Sequence, residues 1–405
     1  MTASDHTPHV DLRRIVPALG VAQIISWGTL FYAIAVLGSA MRDELKTSDV
    51  ILFGSFTCGL FVSGIVSPWV GRRIDARGGR AVLAGGSLLG AVACVTLALA
   101  TGPLTLLTGW ILAGIASAAC LYDPAFATLH RISGVSYRRA VTALTLFGGF
   151  ASTVFWPLSQ YLLDTIGWRA AFGVYAALHA VVCLPLHAVF IPRDEARITP
   201  LESSPQKSPT HSPAGSAFVW LASAFALATF ISSALSAHLI GLLTTSGLGA
   251  RDAVLVGSLI GPMQVAGRVM EFAFTRHVRA LFVGTLAFAL LASSLLVLAQ
   301  VRGVWIVALA FALLYGWSNG VMTIVRGTVP AELFGSRGYG ALLGRLARPQ
   351  FIAKAIAPLA LTLVFAIDSS RNVSLWTLAA FGALALYAYQ RAVSAARAVA
   401  SRPSQ

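Results

Sequence analysis

This chain carries little charge. Asp, Glu, Lys and Arg make up 11% of its 405 residues, and three of its 29 basic residues are lysine: Lys46, Lys207 and Lys354. Its four cysteines (Cys58, Cys94, Cys120, Cys183) fall in four separate apolar runs. None is spaced for a metal or a redox pair, which excludes a disulfide scaffold. They read as small apolar packing residues, with a thiol site for a soft metal or metalloid ion as the alternative. The chain also lacks a phosphate-cradling glycine loop, a zinc-type His/Glu helix and a polar stretch long enough for a soluble domain. Those absences exclude an enzyme with a cofactor or metal centre and an ATP-driven pump. No small-residue cleavage site follows a short apolar core, so no removable signal peptide is expected.

Apolar residues are what the chain has in excess: 57%, with a mean hydropathy of +0.78. They form twelve long runs, near 17–40, 50–70, 81–101, 104–126, 140–163, 167–190, 216–246, 252–275, 280–300, 303–326, 340–366 and 373–395. A soluble core helix rarely stays apolar for about twenty residues, whereas a membrane span must. Backbone polar groups in hydrocarbon have to be satisfied within their own segment, so the spans are helices. The expectation is an all-α membrane protein of twelve transmembrane helices. With an internal N-terminus, the inner segments hold 21 Lys and Arg and the outer segments 6; Arg268 and Lys354 make up the 29. Cytoplasmic loops carry the positive excess, so both termini are expected inside, in an inner membrane of bacterial type. The net charge of +14 is then a topology signal, and no soluble basic face exists for nucleic acid.

Between the sixth and seventh runs lies RDEARITPLESSPQKSPTHSPAGS, rich in Pro, Ser and charge. Such a composition cannot bury a core and reads as a cytoplasmic linker. The expected organisation is a tail at 1–16, a six-helix half at 17–192, a linker at 193–215, a second half at 216–396 and a tail at 397–405. Two six-span halves around a central cavity suit alternating access. The halves share a weak pattern: Gly71-Arg72 and Gly267-Arg268, then Asp75 and Glu271, then a basic loop at Arg77–Arg80 and at Arg276–Arg279.

The loop after the second run reads Gly71-Arg-Arg-Ile-Asp75-Ala-Arg77-Gly78-Gly79-Arg80. Gly78 and Gly79 permit a tight turn, and Asp75 at a helix end can pair with an Arg or cap another helix. This loop resembles the signature loop of the major facilitator superfamily, as does Gly167-Trp168-Arg169-x-x-Phe172 before the sixth run. The resemblance covers the whole chain and implies that fold. It also implies that Gly71, Asp75, Arg77, Gly78 and Arg80 form a conformational latch, engaged in the outward-facing state and released when the cytoplasmic side opens.

Among the ionisable residues inside the runs, five are singled out: Asp123, His238, Arg268, Glu271 and Lys354. A charge near a span's centre costs about 2.5–3.5 kcal/mol, so each is a functional candidate. Arg268 in the eighth run and Lys354 in the eleventh could together hold an anion, Arg in bidentate fashion and Lys as a point charge. This pair resembles the oxalate/formate antiporter and monocarboxylate porter families. The resemblance implies substrate binding by Arg268 and Lys354. Monocarboxylate porters carry Asp one turn before this Arg, where this chain has Gln264, which cannot titrate. Alternatively, Glu271 neutralises Arg268 from the same helix face. Asp123, before Pro124, could carry a proton or pair with Arg131 or Arg139. His238 could carry a proton or bridge two helices. Gln23, Trp27, Tyr32, Trp156, Gln160, Trp317 and Asn319 are candidates for shaping the cavity.

These features predict a secondary transporter of a small organic anion, a carboxylate, working as a monomer in the lipid bilayer. Its partners are the small-molecule substrate and, unless it exchanges anions without a proton, a co-transported proton; no cofactor is expected. The rivals are a proton-coupled exporter of drugs or toxic compounds, and a non-transporting membrane receptor.

Overall fold

The computed structural model describes residues 11–193, 215–274, 278–335, 337–367 and 372–400. The linker from 194 to 214, Arg276 of the second basic loop and the outermost tail residues lie outside them. All regular structure among the described residues is helical. Nine helical stretches there are long and apolar enough to cross a membrane. One of them, Pro103–Phe190, holds the fourth, fifth and sixth expected spans. The eleventh is Tyr339–Ile367, so each of the twelve apolar runs is helical.

Several spans are interrupted, and the sequence explains some of the breaks. Span four divides into Pro103–Cys120 and Tyr122–Ser133, with Leu121 extended between them. Pro124 has no N–H, so the Cys120 carbonyl loses its helical donor. The Gln23 amide of span one replaces it, donating to Cys120 O at 2.7 Å. Span eleven solves the same problem at Pro358, where the hydroxyl of Ser233 in span seven donates to Lys354 O at 2.7 Å. Spans five and six meet at Gly167, whose φ of 76° ends one helix and starts the next. Spans one and six each contain a π-helical turn, Gly28–Tyr32 and His179–Cys183.

The chain forms two compact units, residues 1–208 with 337–344, and residues 209–336 with 345–405. The opening of span eleven therefore belongs to the first unit. In that unit span two packs on span four, span three on span four, and span one on span five. Small residues let the backbones approach: a Cβ on Gly59 would overlap the Trp110 carbonyl, and one on Gly86 would come within 2.9 Å of Ala119, whereas Gly85 faces open space. Such contact substitutes for the hydrophobic drive that helices lack in lipid. Trp110, Phe155, Phe172 and Tyr175 fill the core between them.

One end of the first unit is tied by Glu44. It accepts from Trp168 Nε1 at 2.6 Å and Arg169 Nε at 2.7 Å, while Arg169 Nη1 donates to Ala98 O at 2.8 Å. Spans one, three and six are thereby joined. Both charged partners are partly solvated, so the tie contributes modestly. Arg169→Ala is expected to lower stability by about 1 kcal/mol, chiefly through the lost bond to Ala98. Thermal unfolding in detergent checks this, and an unchanged midpoint would assign the cluster no structural role.

In the second unit span nine packs on ten, eight on ten, and seven and nine on twelve. Glu332, late in span ten, accepts from Leu281 N at 3.2 Å and Arg279 Nε at 3.0 Å, covering the N-terminus of span nine. That places a carboxylate where helix amides lack partners.

Candidate functional site

The signature loop builds its geometry from the end of span two, Asp49–Arg77. Gly78 follows with φ of 81°, a conformation suited to glycine, and its N–H closes the helix on Ile74 O at 2.8 Å. The Asp75 carboxylate accepts from Gly340 N at 2.8 Å and Ala341 N at 2.7 Å. These are the first amides of the helix Tyr339–Ile367, so Asp75 caps its positive end. The approach needs glycine, because a Cβ on Gly71 would overlap the Gly340 carbonyl. Arg131 Nη1 donates to the backbone carbonyl of Asp75 at 2.6 Å. Arg80 reaches Ile191 O at 3.4 Å, and Arg77 is exposed. Tyr339 adds a contact that the sequence did not suggest. Its ring stacks on His130 at 4.0 Å, and its hydroxyl bonds that of Tyr137 at 2.9 Å.

Within the first unit a recess of about 610 Å³ is lined by Ala35, Val36, Ser152, Thr153, Trp156, Pro157 and Gln160. Trp156 packs edge-on to Tyr32 at 6.1 Å, Tyr32 lies 6.2 Å from Trp27, and Trp27 lies 5.2 Å from Tyr122. Trp156, Gln160, Tyr32 and Trp27 thus fall into one aromatic surface. Gln160 donates to Asp164 at 2.8 Å. Gln23 is elsewhere, fully buried against Cys120. Asp123 sits in the first turn of Tyr122–Ser133, where a helix N-terminus favours a carboxylate.

In the second unit, Arg268 and Glu271 are the only buried Asp, Glu, Lys or Arg among the described residues, 5% and 3% exposed. They lie three residues apart on Ala250–Phe274, so they share a helix face. Arg268 sits where span eight crosses span ten. Gly267 meets the Trp317 backbone there, and a Cβ on Gly320 would overlap the Gln264 carbonyl. Its Nε points to Gly320 O at 3.4 Å. Gln264 and Asn319 are half-buried beside this crossing, while Trp317 is more exposed. Lys354 is half-buried in span eleven. The seam that carries it against span seven is polar: Thr229 donates to Gln350 at 3.4 Å, Ser233 to Lys354 O, and His238 Nε2 to Pro358 O at 2.9 Å. His238 therefore joins two helices as a hydrogen-bond donor.

Twelve apolar helices with this signature loop define a multi-pass membrane transporter fold. The sequence profile described as Major Facilitator Superfamily matches residues 19–278, more than half of the chain. The chain belongs to that superfamily. Among solved structures, it is similar to the human organic anion transporter MFSD10 (TETRAN), with a TM-score of 0.69 and 17% identity over 94% of this chain and 100% of that one. It is also similar to a variant of the E. coli fucose:proton symporter FucP, with a TM-score of 0.70 and 14% identity over 93% and 98%. A second FucP structure, in the outward conformation, gives 0.63 at 14% identity over 92% and 97%. At these identities the likeness concerns the fold. No curated protein matches by sequence.

Proposed function

We propose that this superfamily member is a secondary transporter of small organic anions, carboxylates first among them. The observation that carries the reading is the burial of Arg268, together with the half-burial of Lys354 in the same unit. A buried guanidinium is retained at a desolvation cost of several kcal/mol, so it has a use beyond packing. A carboxylate supplies the acceptors that a planar guanidinium and an ammonium both prefer. Gln264 and Asn319 offer neutral donors beside Arg268. Asp75, with Gly71, Arg77, Gly78 and Arg80, acts as the latch of the conformational cycle and does not bind substrate. The protein works as a monomer with both termini cytoplasmic, in a bacterial-type inner membrane.

Counterflow in proteoliposomes tests this. Preloaded unlabelled lactate or oxalate is expected to accelerate uptake of the same labelled anion, and a wild-type protein that exchanges no carboxylate would contradict the reading. A second reading, export of apolar compounds, is favoured by the aromatic recess around Trp156 and Tyr32, whose lining carries no charged side chain. There Glu271 serves to neutralise Arg268. Exchange of apolar dyes without any anion would support it.

A further inference from the structure

Span six holds two histidines that the anion-binding reading does not use. His179 and His187 are both fully buried. Among the described residues of the first unit, they are the only buried carboxylate, amine, guanidinium or imidazole side chains. His179 opens the π-turn of span six, and its Nε2 lies 2.8 Å from Thr29 Oγ1 in the π-turn of span one. Two π-turns therefore meet through one hydrogen bond. Such turns are rare and concentrate at functional sites.

The hydroxyl fixes the tautomer. Thr29 Oγ1 donates to Ile25 O at 2.8 Å, so it accepts from His179 Nε2–H. The other nitrogen, Nδ1, is then a bare lone pair, and it has no partner. His187 repeats the arrangement with the nitrogens exchanged. Ser87 Oγ donates to Leu83 O at 3.2 Å and accepts from His187 Nδ1–H at 2.8 Å, leaving Nε2 without a partner. Gln23 spends its amide on Cys120 O, and its Oε1 is also unpartnered. Three buried acceptors in this core thus lack a donor. Buried polar groups are otherwise almost always satisfied, so an imidazole lone pair without a donor is a place where a proton can be held.

The surroundings favour a site of its own. Span three contributes Gly90 opposite the ring, and a Cβ there would lie 2.9 Å from Nδ1. The titratable groups in the core around His179 are Cys94 of span three, Cys120 of span four, and Cys183 and Tyr175 of span six. His187, two turns further along span six, is in electrostatic reach of it. We propose that His179, held by Thr29 and backed by His187, is a proton-binding site, and that the transporter's coupling ion is a proton carried on Nδ1. In the cycle, Nδ1 takes a proton from water to give the imidazolium, and returns it to water on the other side. No other bond forms or breaks. The proposal rests on the transporter reading and adds the coupling ion to it. It moves the coupling role away from Asp123, His238 and Glu271.

Histidine-selective nitrogen NMR of the full chain in lipid nanodiscs tests the site without a substrate, with His179→Gln and His187→Gln assigning the signals. His179 is expected to carry its proton on Nε2 at alkaline pH and to gain a second, reversibly, as the pH falls while the protein stays folded. Thr29→Val is expected to release the tautomer. A ring that stays neutral at every pH tolerated by the fold would make the region a water-filled structural core and overturn the proposal. A second arm uses proteoliposomes containing pyranine, with lactate as the added anion. His179→Gln should lower lactate-driven proton flux at least tenfold while leaving lactate counterflow intact. Equal loss of both, or of neither, would also overturn it. If wild-type protein moves neither lactate nor any other carboxylate, the anion reading fails, and the NMR arm still decides the proton site.

Discussion

Lys354→Gln is expected to weaken carboxylate binding by roughly 30- to 1000-fold, the largest effect of any single substitution considered. The side chain keeps its length and a hydrogen-bond donor but loses its charge. Removing one partner of a desolvated charged pair costs about 2–4 kcal/mol, and each 1.4 kcal/mol or so is a factor of ten in Kd. The fold should survive, because an apolar span is relieved of an ammonium and the Ser233 hydroxyl bonds the backbone carbonyl of residue 354, which the substitution keeps. Equilibrium binding by calorimetry, with circular dichroism as the control for folding, measures the effect. An unchanged Kd would remove Lys354 from the anion site.

Asp75→Asn should act on rate and leave affinity nearly alone. The carboxylate accepts two amides at the opening of span eleven, and the neutral amide can accept only through its single oxygen. Loss of one charge-assisted bond and of the charge–dipole term costs about 1–2 kcal/mol. A change of that size shifts a two-state equilibrium about tenfold toward the released form. Transport at saturating substrate should therefore fall several-fold, with Kd changed by less than about twofold, because the proposed role of Asp75 is that of a latch and not of a substrate ligand. Initial rates in proteoliposomes set beside calorimetric Kd separate the two. A large loss of affinity with normal turnover would contradict the latch.

The membrane architecture was legible because hydrocarbon imposes a rule that a sequence cannot hide: about twenty apolar residues per crossing. The breaks were half legible. Pro124 and Pro358 announce that Cys120 and Lys354 lose a helical donor. That Gln23 and Ser233 supply the replacements, 97 and 121 residues away, is a fact of packing. For the same reason Gln23, an amide placed by sequence among the cavity candidates, lies against a backbone carbonyl in the core. Asp75 was expected either to cap a helix or to meet an arginine. Its carboxylate caps span eleven, and its carbonyl accepts from Arg131. The π-turns left no trace, since nothing in GTLFY or HAVVC distinguishes them from ordinary helix. His179 and His187 stand in an apolar run as His238 does, and the sequence does not show which of the three meets a hydroxyl of another span.

Whether Arg268 and Lys354 hold an anion is decided by thermal unfolding of the purified full chain in detergent, against a panel of carboxylates, other small anions and apolar drugs. Ligands that bind only the folded state raise its stability by mass action. The expected result is a rise in midpoint with at least one carboxylate, absent in Arg268→Gln and in Lys354→Gln. Stabilisation by apolar drugs alone, undiminished in both variants, would contradict anion binding there and make the two cations structural.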